Sequence, residues 1–178
     1  MQIDADCTVI NKSFQVKEEK LGFPLIRLYG LTQESNSVCL IIENFFPYFY
    51  VRKPPNFTSA DIPGFAELLT ETIAKSSRQA QYVREIEIVQ KTNIFMYTDK
   101  LESFIKITLY SPKNVSLLRD LFEKGDINYR GILFDKTTFE SKISFPLRFM
   151  IDRGIVGMSW VKVPESKYRI VAQCEIIT

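Results

Sequence analysis

Two stretches of this sequence set aromatic and basic side chains at every second position. Tyr48 and Tyr50 fall on one face of an extended run, and Phe104, Lys106, Thr108 and Tyr110 on one face of another. Rings spaced in this way can stack on bases, with Lys106 beside a phosphate. Glu85 and Glu87 share the same period, and carboxylates on that face would repel phosphate. The competing use of Tyr48, Tyr50 and Phe104 is burial, since dense aromatic runs are more often core. Both uses stay open at this level.

Other chemistry is scarcer. The sequence contains no histidine, which excludes Ser-His-Asp and Cys-His catalysis and imidazole metal ligation. It has seven glycines and neither a GxGxxG nor a GxxxxGK[ST] pattern, so no glycine loop cradles a phosphate. Asp4 and Asp6 are two apart on an expected strand and would point to one side, as a divalent-ion pair or as the solvent face of an edge strand. Cys39 lies in Val38-Cys39-Leu40-Ile41-Ile42, with no local cation to activate it, and reads as a small buried hydrophobe. Arg148 and Asp152 are four apart and can pair along a helix face.

The elements that must position these residues are those of a globular domain. Of 178 residues 46% are hydrophobic and 25% charged, and the formal net charge is +2. That excludes compositional disorder and announces no strong basic field. Basic residues gather late, with eleven Lys+Arg against eight Asp+Glu over 111–178. There is no membrane-length apolar run and no signal-peptide core, and three separated cysteines write no disulfide framework, so an intracellular chain is expected.

Strands are expected at Gln2–Val9, Leu25–Tyr29 and Ser37–Ile42, the last two forming a hairpin. From Tyr48 to about Leu133 the order is strand, helix, strand, strand, helix, strand. The first helix is capped by Ser59 and carries Ile62, Phe65, Leu69 and Ile73 on one stripe. The second has Pro112 at its first position and Gly125 at its end. Its closing strand is expected near Asn128–Phe134. A third helix fits Phe145–Arg153, and strands Gly157–Val163 and Lys167–Ile176 follow, joined at Pro164-Glu165-Ser166. The expected fold is α+β: an OB-like antiparallel barrel from 1–44 and 157–178, an inserted ferredoxin-like, RNA-recognition-like βαββαβ unit over 45–135, and the third helix within 136–156. All of it would form one domain, 1–178.

Leu25-Ile26-Arg27-Leu28-Tyr29-Gly30-Leu31-Thr32, Ser37-Val38-Cys39 and Phe46-Pro47-Tyr48-Phe49-Tyr50 resemble the N-terminal region of family B DNA polymerases. Leu147-Arg148-Phe149-Met150-Ile151-Asp152, with Gly154-Ile155-Val156-Gly157 and Trp160, resembles the delta-type catalytic subunits in particular. Phe104-Ile105-Lys106-Ile107 and Leu118-Arg119 fall in the same order. The resemblance implies a non-catalytic N-terminal fragment of a replicative polymerase that scaffolds the exonuclease and polymerase domains and helps guide single-stranded template. Neither the Asp-x-Glu exonuclease strand nor the Asp-Thr-Asp polymerase strand of that family is present. Catalytic residues and a metal site are therefore not expected in this chain, and magnesium-dependent transfer belongs to the parent. Arg148, Asp152 and Trp160 form its structural motif. The implied partners are single-stranded or primer-template DNA, the remaining polymerase domains and accessory subunits, in the nucleus and without a membrane. The alternatives are a free-standing single-strand binder on a recognition-type fold and, with no assembled motif, a small hydrolase.

Overall fold

The structure is a computed structural model that describes residues 5–11, 22–33, 35–76, 83–92 and 100–163. Its first layer is a three-stranded antiparallel sheet, β1 (Ala5–Asn11), β2 (Gly22–Leu31) and β3 (Ser37–Ile42), in that order. The turn from β2 to β3 closes where the Thr32 N–H donates to the Asn36 carbonyl at 2.9 Å. Ser35 accepts φ 64° there.

The second layer is built from β4 (Tyr48–Arg52), α1 (Ile62–Ser76), β5 (Val83–Thr92), β6 (Leu101–Leu109) and α2 (Pro112–Lys124). Alternation in β4 sends Phe49 and Val51 to one face, and β6 sends Ile105, Ile107 and Leu109 to the same face. There they meet Phe65, Leu69 and Ile73 of α1 and Val115, Leu118 and Phe122 of α2. The core is aromatic: Phe57, Phe65, Phe122, Tyr129 and Phe134 make edge-on or stacked contacts. Such pairs contribute about 0.5–1.5 kcal/mol each beyond their burial.

Element ends follow local chemistry. Pro63 sits in the first turn of α1, where its missing N–H costs nothing. Ser59, expected as the cap, lies instead inside a short 3₁₀ turn, Ser59–Asp61, which leads into α1 and has Thr58 as its own N-cap. The Asp61 carboxylate accepts from both the Thr58 N–H and the Thr58 hydroxyl, each at 2.9 Å. These bonds, backbone first, hold the Asp61 carboxyl below its ordinary range. α2 begins at Pro112 and stops at Gly125, whose φ of 84° lets its N–H close on the Leu121 and Phe122 carbonyls.

Three expectations are corrected. The segment expected as the fourth strand of the second layer folds as its own small hairpin, β7 (Asn128–Tyr129) with β8 (Ile132–Leu133). Its place is taken by β9 (Thr138–Phe139), which pairs with β4 and gives the order β5-β6-β4-β9. Gly157–Val163 carries turns and irregular backbone instead of a strand, and the described residues form no closed barrel. Asp4, the Pro164–Ser166 turn and the Lys167–Ile176 strand lie outside the described residues.

α3 (Phe145–Asp152) lies on the first layer, burying Phe145 and Phe149 against Ile26 and Leu28. Phe45 packs between the two rings, stacked on Phe145 and edge-on to Phe149.

Candidate functional site

The aromatic and basic residues singled out in the sequence share the face of the four-stranded sheet opposite α1 and α2. Register brings them together: Tyr50 stands opposite Lys106 on β6 and Phe139 on β9, and Lys106 stands opposite Glu87 on β5. This face is filled. Phe104 is 3% exposed and packs edge-on against Phe139, with centroids 5.1 Å apart. Tyr50 is 7% exposed, beneath the Lys91 ammonium at 4.0 Å from its ring and edge-on to Tyr48. A base would have to displace these neighbours to stack. Lys106 is held by Glu87 at 2.8 Å, so its charge is already compensated.

Tyr48 is half-buried and links the two layers. Its hydroxyl donates to Asp152 Oδ2 of α3 at 2.6 Å. Burial, and next the bond to Asp152, push the Tyr48 phenol well above its ordinary pKa. The Arg148 guanidinium lies 5.1 Å over the same ring.

Arg148 is 6% exposed and is the centre of this junction. Asp152, the partner expected from spacing, is 3.5 Å away. A shorter ion pair, 2.8 Å, goes to Glu140, just beyond β9. Neither Arg148 Nη2 nor Glu140 Oε2 meets hydrogen-bond geometry, so the contact is Coulombic rather than a directed bond. Glu140 also takes Lys91 at 3.1 Å. Burial alone would lower the Lys91 pKa, but bonds to Tyr50 and Glu140 outweigh it and hold it raised. Two cations and two carboxylates thus balance within one cluster.

Sequence reasoning missed Glu140, Lys91 and Phe139. The period-two pattern of β5 does point Lys91 to the same face as Glu87, but Glu140 has no local signal. Trp160 stands apart from the cluster, 66% exposed.

Among the described residues no group of three or more His, Cys, Asp or Glu could hold an ion. Glu85 and Glu87 share one face of β5, but Glu87 is committed to Lys106.

Comparison with known proteins matches this layout. The family described as "DNA polymerase delta catalytic subunit-like, N-terminal domain" matches residues 44–116, from the aromatic run into α2. A DNA polymerase delta catalytic subunit of Dictyostelium discoideum is 38% identical over 98% of this chain and 17% of its own length. Its counterpart in Arabidopsis thaliana is 38% identical over 86% of this chain and 15% of its own length. In fold, the chain is similar to the family B DNA polymerase of the archaeon Pyrobaculum calidifontis. The TM-score is 0.57 at 22% identity, over 88% of this chain and 17% of that one. The chain spans about one sixth of the curated relatives it matches. It is homologous to the N-terminal region of DNA polymerase delta catalytic subunits.

Proposed function

We propose that this chain serves as the non-catalytic N-terminal part of a nuclear replicative DNA polymerase, a support for the exonuclease and polymerase domains that also guides single-stranded template. The observation that carries it is the alignment of 98% of the chain with only 17% of a polymerase catalytic subunit. Among the described residues no group of carboxylates could hold the ions that two-metal transfer requires, and in this reading divalent ions, DNA synthesis and contacts with accessory subunits belong to the longer protein. A free-standing single-strand binder is not favoured, because its distinguishing feature, an open ring face, is absent: Tyr50 and Phe104 are buried.

The scaffold role draws support from apolar side chains left uncovered on and after α3. Leu147 and Ile151, one turn apart, are about half exposed, and Val156, Met158 and Trp160 more so. A patch of this kind marks a contact surface. The order β5-β6-β4-β9, with both helices on one face, supports a ferredoxin-like unit that runs on to Phe139. The sheet β1-β2-β3 supports an OB-like remainder within one domain, 1–178.

Two measurements test the proposal. The purified chain, given magnesium or manganese, should neither extend a primer nor trim a 3′ end above a heat-killed control; either activity overturns the non-catalytic assignment. Leu147→Asp with Ile151→Asp should lower the Tm of the complete polymerase while leaving that of the 178-residue chain nearly unchanged. An unchanged polymerase Tm removes this face from the scaffold.

A further inference from the structure

Between the first turns of α2 and α3 the surface opens into a crevice of about 230 Å³. One ordered water needs only about 10–15 Å³ of such space. Arg119, Lys142 and Arg148 line it together with Ser116, Ser141 and Ser144, and among the described residues no carboxylate does; the Ser141 hydroxyl is already paired with that of Thr138 at 2.8 Å. The acids that pair with these cations lie outside the lining. Asp120 is 2.7 Å from Arg119, and Glu140 and Asp152 hold Arg148. Glu123 is 3.8 Å from Lys142, a loose contact for a side chain that is 77% exposed.

The backbone adds to this. Ser144, the N-cap of α3, makes no side-chain capping bond. The N–H groups of Phe145 and Leu147 have no acceptor within the helix, and Pro146 has no N–H at all. The positive end of α3 therefore opens beside three cations. Arg148 is more than nine-tenths buried, with Nε and Nη2 closed to solvent and its charge shared by Glu140 and Asp152, so it borders the crevice without offering those atoms to a ligand. A tetrahedral oxyanion answers the groups that stay open. Its oxygens can take the outer N–H groups of Arg119, the Lys142 ammonium, the Ser116 or Ser144 hydroxyl and a backbone N–H at the same time.

We propose that this crevice is a phosphoryl-binding site, occupied by a phosphate of a nucleic-acid backbone or by free phosphate or pyrophosphate. The site stands on its lining and does not rest on the polymerase assignment. Titration of the full 178-residue chain with pyrophosphate, followed by amide NMR, locates it. Shifts should concentrate at Ser144, Phe145 and Leu147 and at the Arg119 side-chain N–H. Arg119→Gln with Lys142→Gln should weaken binding about tenfold or more, the scale of one lost charge-assisted bond. Melting curves check the fold of the double variant, and Lys142→Gln alone, at a mostly exposed position, replaces it if needed. Shifts scattered away from the crevice, no binding, or equal affinity in the variant overturns the proposal. A labelled single-stranded oligonucleotide separates the two sources. Its displacement by pyrophosphate supports the site with backbone phosphate as the occupant, and pyrophosphate binding without displacement supports it with free phosphate.

Discussion

Replacing Arg148 should destabilise the chain far more than its spacing suggests. An exposed i,i+4 pair contributes only about 0.3–0.5 kcal/mol. Arg148 is 6% exposed and faces two carboxylates and a ring, so its loss leaves Glu140 and Asp152 without their shared cation. Removing one partner of a fully buried pair costs about 3–5 kcal/mol. Two features reduce this figure. The carboxylate side chains remain 30% and 26% exposed, and each keeps another partner, Lys91 on Glu140 and the Tyr48 hydroxyl on Asp152. The expected loss is then about 2–3 kcal/mol. At about 2–4 °C per kcal/mol for a chain of this size, the Tm should fall by about 4–12 °C.

Arg148→Met is the informative variant, because it keeps the apolar stem and removes only the charge. Arg148→Lys should recover part of the loss, since an ammonium restores charge without the fork. Thermal melts followed by circular dichroism read both. A double-mutant cycle should give a larger coupling for Arg148 with Glu140 than with Asp152, because the first contact is shorter, 2.8 Å against 3.5 Å. A fall of less than about 2 °C in Arg148→Met would refute the reasoning, since burial would then add nothing to a surface pair.

Three further outcomes are expected. Tyr48 has a phenol pKa raised in the fold, so the native state keeps a proton that the unfolded state gives up. Its contribution is complete below about pH 10 and fades as pH rises further. Urea midpoints at pH 8 and 11 should therefore differ less in Tyr48→Phe than in the wild type; Lys91 titrates with the same sign in both proteins, and parallel losses would remove Tyr48 from the account. Gly125→Ala should cost about 1 kcal/mol, or about 2–4 °C, because its φ of 84° strains any L side chain, and an unchanged Tm would count against this. The new Cβ would lie 2.9 Å from Lys136 Cε, which can swing aside, so the cost is in the backbone. Phe104→Ala should lower the Tm by more than about 6 °C, from a core loss of about 3–5 kcal/mol. Any binding of single-stranded DNA should follow the folded fraction alone; loss of binding at unchanged Tm would instead identify Phe104 as a stacking ring.

Local signals in this sequence were legible because the chemistry that sets them is local. Pro112 and Gly125 bracket α2, Pro63 falls in the first turn of α1, and Phe65, Leu69 and Ile73 mark its buried stripe. The alternation of Tyr48 with Phe49 and of Ile105 with Lys106 sorts β4 and β6 into an inner and an outer face. Partnerships were not legible. β9 is two residues long, too short for any period to show, and only its pairing with β4 makes it a strand. The Asn128–Phe134 run has the composition of a strand, yet Gly131 at φ 78° and Arg130 at φ 50° turn it back on itself. Glu140 is eight positions from Arg148 and outside its helix, so no spacing rule joins them.

The same limit explains how the outer face of the second sheet could be read in two ways. Alternating tyrosines and lysines meet the requirements of base stacking, and they equally meet those of a closed cation–π and ion-pair cluster. What separates the two is a segment elsewhere in the chain. Here the stretch from Thr138 to Asp152 supplies Phe139 against Phe104, Glu140 for Lys91 and Arg148, and Asp152 for the Tyr48 hydroxyl. Each of these contacts satisfies a group that a nucleotide would otherwise have to meet. With Lys91, Lys106 and Arg148 all paired, little uncompensated charge remains at the centre of the face to attract a phosphate. Anion chemistry moves to the rim, where Arg119 and Lys142 reach the crevice beside the free end of α3.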